Sequence, residues 1–260
     1  MNIGRLLTAM ITPFDENGDI NYDMAAKLSK AIIDSGSDGL VIGGTTGEAP
    51  TISNQEKLKL FSVVKESIGA EHALIAGTTN NNTKESVELS KLAEAAKVDG
   101  LLLTVPSYNK PTQDGLYQHF KSISEEVSIP CILYNVPSRT SLNMTDETTI
   151  ELSNLKNIVG IKEASSDLDQ ITRIISNTSD DFKVWSGNDN ETLYILAAGG
   201  YGIVSVAGHI VSSQIKELIG HILEGNIEVA GKEHQRLLEF FNIIFVVTNP
   251  IPIRYYVKKA

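Results

Sequence analysis

The sequence predicts an α/β protein, a TIM (β/α)8 barrel with a partial C-terminal helical extension. Three observations carry that expectation. Eight short apolar runs are each bounded by Gly or Pro, and each is followed by a helical pattern. The runs begin 33, 34, 27, 31, 27, 25 and 19 residues apart, counted from Leu6 to Gly202. They are apolar almost throughout, as strands of a parallel sheet covered by helices are. Eight such units favour closure into a barrel; an open doubly wound sheet, which would leave edge strands, is the competing arrangement.

In chain order the strand-like runs are Leu6–Phe14, Gly39–Gly44, Ala73–Thr78 and Gly100–Pro106, then Cys131–Pro137, Ile158–Ser165, Lys183–Gly187 and Gly202–Gly208. The first helix is expected behind an Asp23 cap, with Met24, Leu28 and Ile32 on its apolar face and Gly36 closing it. Ser53-Asn-Gln-Glu56 reads as a capping box that opens the second. Leu89, Leu92, Ala93 and Ala96 make the stripe of the third. Residues 1–210 are expected to carry the barrel through strand eight. Residues 211–260 would carry the last barrel helix and a shortened C-terminal helical segment, within one structural domain.

Composition excludes several function classes. The chain of 260 residues has 22 Lys+Arg against 32 Asp+Glu, a net charge of −10, which argues against nucleic acid as a partner. One cysteine, Cys131, leaves no disulfide framework and suits a reducing cytoplasm. No apolar run approaches the roughly 18 residues of a membrane helix. Leu6 to Phe14 lacks the basic flank and small-residue cleavage site of a signal peptide. The five histidines stand without HxH or HxxxH spacing, and no acids cluster, so neither a metal centre nor a Ser-His-Asp triad is expected.

In a barrel, chemistry sits at the C-terminal strand ends and the loops beyond them. Strand two ends in Gly43-Gly-Thr-Thr-Gly-Glu48, where glycines let a ligand approach the backbone and hydroxyls can bond an anion; a plain tight turn reads equally well. Strand six is Ile158-Val-Gly-Ile-Lys-Glu-Ala-Ser165. Alternation puts Gly160, Lys162 and Ala164 on one face and Ile161 and Glu163 on the other. A buried ammonium is costly, and the neutral amine is the form that attacks a ketone to make a Schiff base. The plainer alternative has Lys162 reaching to solvent or pairing with a carboxylate. Strand five supplies Tyr134, a phenol able to give and take a proton, and just beyond it Arg139, a fork matched to a carboxylate. A core tyrosine and a surface arginine are their bland readings. Tyr108 lies in the loop Val105-Pro-Ser-Tyr-Asn-Lys-Pro111, which alone reads as a turn.

Gly44-Thr-Thr-Gly-Glu48, Tyr134-Asn-Val-Pro-Ser-Arg-Thr140 and Ile161-Lys-Glu-Ala164 together resemble the dihydrodipicolinate synthase family. So do the opening Thr8-Ala-Met-Ile-Thr-Pro-Phe14, Ser186-Gly-Asn-Asp189 and Asn249-Pro-Ile-Pro252. The match runs in order from the first strand to the last residues. It implies a class I aldolase-type lyase that condenses pyruvate with L-aspartate 4-semialdehyde, needing neither cofactor nor metal. By motif, Lys162 is the Schiff-base lysine, and Tyr134 the proton donor and acceptor. Thr45 and Tyr108 complete a proton relay, with Tyr108 delivered from a neighbouring subunit of a homo-oligomer, a dimer of dimers. Thr46 and Val204 match positions that hold the pyruvate carboxylate, and Arg139 the position that orients the semialdehyde.

N-acetylneuraminate lyase and 2-keto-3-deoxy-sugar aldolases share the lysine and tyrosine, and a non-catalytic binding barrel is the alternative of another class. The resemblance also implies that members continue a few dozen residues past the position of Ala260. Feedback-inhibited members bind lysine with a histidine and a tyrosine where this chain has Lys57 and Ser107, although Asn81 and Glu85 remain.

Overall fold

The computed structural model describes residues 3–259. Its strands are β1 (Leu6–Ala9), β2 (Gly39–Ile42), β3 (Ala73–Gly77), β4 (Gly100–Thr104), β5 (Cys131–Asn135), β6 (Ile158–Glu163), β7 (Lys183–Ser186) and β8 (Gly202–Ser205). They pair in parallel and in sequence order, and β8 closes on β1, so the sheet is a barrel without an edge. Each strand starts where the sequence pattern places it and stops one to five residues sooner. The residues beyond each stop leave the ladder to build the mouth.

The helices are α1 (Tyr22–Asp34), α2 (Asn54–Ile68), α3 (Thr83–Ala95), α4 (Gln113–Ser124), α5 (Pro137–Thr140), α6 (Asp146–Leu152), α7 (Leu168–Asn177), α8 (Thr192–Ala197), α9 (Gly208–Leu223), α10 (Ile227–Ile243) and α11 (Ile251–Lys259). The Ser53–Glu56 capping box opens α2 as expected. Two helix details differ from the sequence reading. Asn21, not Asp23, caps α1, its side chain accepting from the Met24 amide, and the buried face is Ala25, Ser29 and Ile32, with Met24 turned outward. In α3 the buried residues are Ser86, Leu89, Ser90 and Ala93, while Leu92 is half exposed. In both, small residues face the barrel wall, where they let helix and sheet approach closely, and a larger apolar side chain is displaced to solvent.

The core has three parts. Leu40, Leu74, Leu101 and Leu133 face outward from the strands into a layer shared with α1 to α4 and α6 to α8. Ile203, Ile215, Leu237 and Ile253 belong to a second layer that ties α9, α10 and α11 to β8. Inside the barrel, Leu7, Val41, Ile75, Leu102, Ile132 and Trp185 fill the interior, as expected of a packed core. Gly160 makes room there. A Cβ at this position would collide with the Lys183 carbonyl and lie 2.7 Å from Trp185 Cζ3.

Candidate active site

The strands' C-terminal ends open into a cavity of about 330 Å³. Lys162 and Tyr134 stand in it as direct partners across the β5–β6 ladder. Alternation along β6 works as expected: Ala164 joins the interior cluster, whereas Ile161 and Glu163 face the helices. Lys162 is 5% exposed, and its Nζ lies 4.3 Å from the centre of the Tyr134 ring. Desolvated by its neighbours and facing an aromatic ring, this amine has no carboxylate within ion-pair distance among the described residues.

The turn after β2 brings Thr45 and Thr46 to the same cavity. Gly43 takes φ +69° there, a left-handed conformation that glycine adopts without a Cβ penalty. Arg139 comes from the single turn of α5, and its Nη2 donates to the Asn249 carbonyl at 2.8 Å. Two expected residues lie apart from this group. Val204 is wholly buried in the barrel interior, and it is Val206, two residues on, that reaches the cavity wall. Tyr108 sits on the loop after β4 at φ +70°, 90% exposed and away from the cavity.

Three buried titratable groups brace the mouth. Asp189 is fully buried; burial pushes its carboxyl up, against the donors that hold it and the positive charge of Lys162. Those donors are the Ser205 hydroxyl and the amides of Val206 at 3.1 Å and Ala207 at 3.2 Å, so Asp189 shapes the backbone that leaves β8. Burial pushes Glu163 up to about 7 although it accepts from Asn135, Gln170 and the Ser165 amide. His209 is pushed down to about 4, chiefly by burial. Its Nδ1 donates to the Val206 carbonyl at 2.8 Å and its Nε2 accepts from the Ile11 amide at 3.0 Å, joining the end of β8 to the segment after β1.

Similarity to known proteins agrees with this geometry. The model of the dihydrodipicolinate synthetase family matches residues 2–260. The chain belongs to that family. It is 54% identical to a 4-hydroxy-tetrahydrodipicolinate synthase of Dehalococcoides mccartyi, over 97% of this chain and 85% of that one. Among solved structures, dihydrodipicolinate synthase from Bacillus anthracis superposes with a TM-score of 0.97 at 41% identity, covering 100% of this chain and 89% of the other. The enzyme from Cyanidioschyzon merolae, solved with lysine bound, gives 0.97 at 41% identity, over 98% and 88%.

As a dihydrodipicolinate synthetase family member the chain has cavity residues to which sequence reasoning gave no role. Gly187 and Asn188 lie in the Ser186–Asp189 motif, and Asn249 opens the Asn249–Pro252 motif. Both motifs are visible in the sequence, but which strand end they meet is set by tertiary folding. Phe245, Val247 and Thr248 carry no motif at all. The opposite end of the barrel holds a second cavity, also about 330 Å³, beside Phe182 and Tyr201. There Arg5 Cζ and Lys183 Nζ lie 4.3 Å and 5.4 Å from the centre of the Tyr201 ring. These cation–π contacts close the barrel floor, the end of such barrels that serves stability and not chemistry.

Proposed function

We propose that this chain condenses pyruvate with L-aspartate 4-semialdehyde to 4-hydroxy-tetrahydrodipicolinate, the first committed step toward diaminopimelate and lysine. One observation carries the reading: a buried lysine amine at the barrel mouth faces Tyr134 at 4.3 Å, in a chain 54% identical to an enzyme of that name. The neutral Lys162 amine attacks the ketone carbon of pyruvate, and loss of water leaves a protonated imine. The imine withdraws electrons from the methyl group, which gives up a proton and becomes the enamine carbon. That carbon attacks the aldehyde of the second substrate, and the aldehyde oxygen takes up a proton. The amine of the semialdehyde then attacks the imine carbon, which closes the ring and expels the Lys162 amine as the leaving group.

Tyr134 is the group that moves these protons, relayed through Thr45 and through Tyr108 of a neighbouring subunit. Thr46 and the backbone at the end of β8, expected at Val204 and reaching the cavity wall at Val206, hold the pyruvate carboxylate, and Arg139 receives the carboxylate of the semialdehyde. The exposure of Tyr108 supports its insertion into a second copy, in a homo-oligomer built as a dimer of dimers and working in the cytoplasm. No cofactor enters this chemistry.

Borohydride reduction with pyruvate tests the reading. One three-carbon adduct on Lys162, lost in Lys162→Ala, together with turnover of aspartate semialdehyde, is the expected result. Labelling of another lysine, or turnover confined to longer polyol aldehydes, overturns it.

A further inference from the structure

The cavity has a roof that belongs to no βα unit. Between α10 and α11 the chain crosses the barrel mouth, placing Phe245, Val247 and Asn249 against the cavity that Thr46 and Arg139 line. α11 is latched below by Arg254, whose Nη2 donates to the Thr12 carbonyl at 3.0 Å and also to the Glu48 carboxylate.

Asn249, only 5% exposed, touches both groups of the mouth suited to anions. Its side-chain Nδ2 donates to Thr46 Oγ1 at 2.9 Å. Its main-chain carbonyl accepts from Arg139 Nη2 at 2.8 Å. The remaining side-chain atom, Oδ1, is buried without a partner, so the Thr46 contact is the only hydrogen bond its side chain makes among the described residues. A buried amide oxygen left unpaired is costly, so the Thr46 contact is what this side chain's polar end gains from its position.

The chemistry of a hydroxyl gives that placement a consequence. Thr46 has one proton to donate and lone pairs to accept with. With Asn249 donating into one lone pair, the Thr46 proton has to point elsewhere, and Thr46 Oγ1 donates to no partner among the described residues. The cavity is the side on which a ligand oxygen can take it.

We infer that Asn249 is a positioning residue for both substrate carboxylates: its side chain turns the Thr46 hydroxyl toward pyruvate, and its main-chain carbonyl aims Arg139 at the semialdehyde. This rests on the proposed condensation. The two arms separate cleanly, because a side-chain substitution removes the first and leaves the second.

A double-mutant cycle between Asn249→Ala and Thr46→Val tests it. The readouts are the pyruvate dependence of borohydride trapping, the KM of each substrate, and thermal unfolding of every variant. Asn249→Ala should raise the pyruvate concentration for half-trapping roughly 10-fold, the worth of one hydrogen bond to a charged group. The semialdehyde KM should move less than about 2-fold, and in the Thr46→Val background Asn249→Ala should add less than about 2-fold, since contacts acting through one group do not add. Asn249→Asp, which can only accept and which brings a charge, should trap pyruvate more weakly than Asn249→Ala. Effects that multiply across the cycle, or that weaken both substrates alike, overturn the proposal. Should Asn249→Ala not fold, Asn249→Ser carries the same cycle. A wild type that traps and condenses normally while the cycle multiplies sinks this inference alone; a wild type that traps nothing sinks the proposed function and this inference with it.

Discussion

Lys162 Nζ sits 4.3 Å above the centre of the Tyr134 ring, and the two residues face each other directly across one parallel ladder. Strand pairing, not a loop, sets the relation of the phenol to the amine. A group held this way suits proton transfer next to a developing imine. Tyr134→Phe keeps the ring and removes only the hydroxyl. It should lower kcat by about 10²-fold or more, the usual worth of a positioned acid–base group, without changing thermal stability appreciably. Steady-state kinetics beside a melting curve check this, and a fully active Tyr134→Phe would remove the tyrosine from the proton path.

Arg139 makes a different prediction because of where it sits. It is on a single exposed turn, fixed through the Asn249 carbonyl, with no carboxylate paired to it among the described residues. Its side chain lines the cavity. Arg139→Ala should raise the semialdehyde KM roughly 10- to 100-fold, in line with about 1.5–3 kcal/mol for a hydrogen bond to a charged group. Imine trapping with pyruvate should change little. Measuring both half-reactions on the same preparation decides it, and equal losses in the two would refute the division of labour.

Strand positions are the part of this molecule most legible in its sequence. Lys162 and Tyr134 are on strands, where a period of two assigns faces from sequence alone, and all eight strands begin where the apolar pattern places them. Helix faces are harder. Met24 and Leu92 fit an apolar stripe but are exposed, because close packing against the barrel selects Ala and Ser at neighbouring positions. The Asn249–Thr46 bond is beyond the reach of sequence pattern, since it joins residues separated by 203 positions through a connection with no period of its own. Glu163 can be placed on the outer face, but not its amide cage, which takes Asn135 from β5 and Gln170 from α7.

Glu163 and His209 give opposing pH dependences. His209 is held down to about 4 against an ordinary 6.5, so between those values the unfolded chain takes the proton first, and stability falls as pH drops through that window. The loss is on the order of 3 kcal/mol once the window is crossed. His119, also pushed down to about 4 by burial, acts in the same direction. Glu163 is raised to about 7 from 4.5, so there the folded chain takes the proton first and gains stability over nearly the same interval. The two partly cancel. Melting temperatures between pH 7 and pH 4 should therefore fall more steeply in Glu163→Gln than in the wild type, and less steeply in His209→Gln. Parallel profiles for all three proteins would show that neither group titrates as described.

Regulation is the last expectation, and it turns on Lys57 and Ser107. The relative from Cyanidioschyzon merolae was solved with lysine bound. In this chain the acid that would meet its ammonium, Glu85, is already bonded by the side-chain amides of Asn80 at 3.0 Å and Asn82 at 2.8 Å. Lys57, on α2, is desolvated enough that burial holds its ammonium below the ordinary lysine range. A second ammonium beside it must either repel that charge or drive its proton off, and both oppose binding. Ser107 offers no ring on which an alkyl stem could rest. Weak affinity leaves little free energy for coupling one site to another, so condensation should be nearly insensitive to L-lysine. Replacing Lys57 by His and Ser107 by Tyr together should restore inhibition. Titrating L-lysine at saturating pyruvate measures both proteins, and half-inhibition of the unmodified enzyme below millimolar lysine would defeat the expectation.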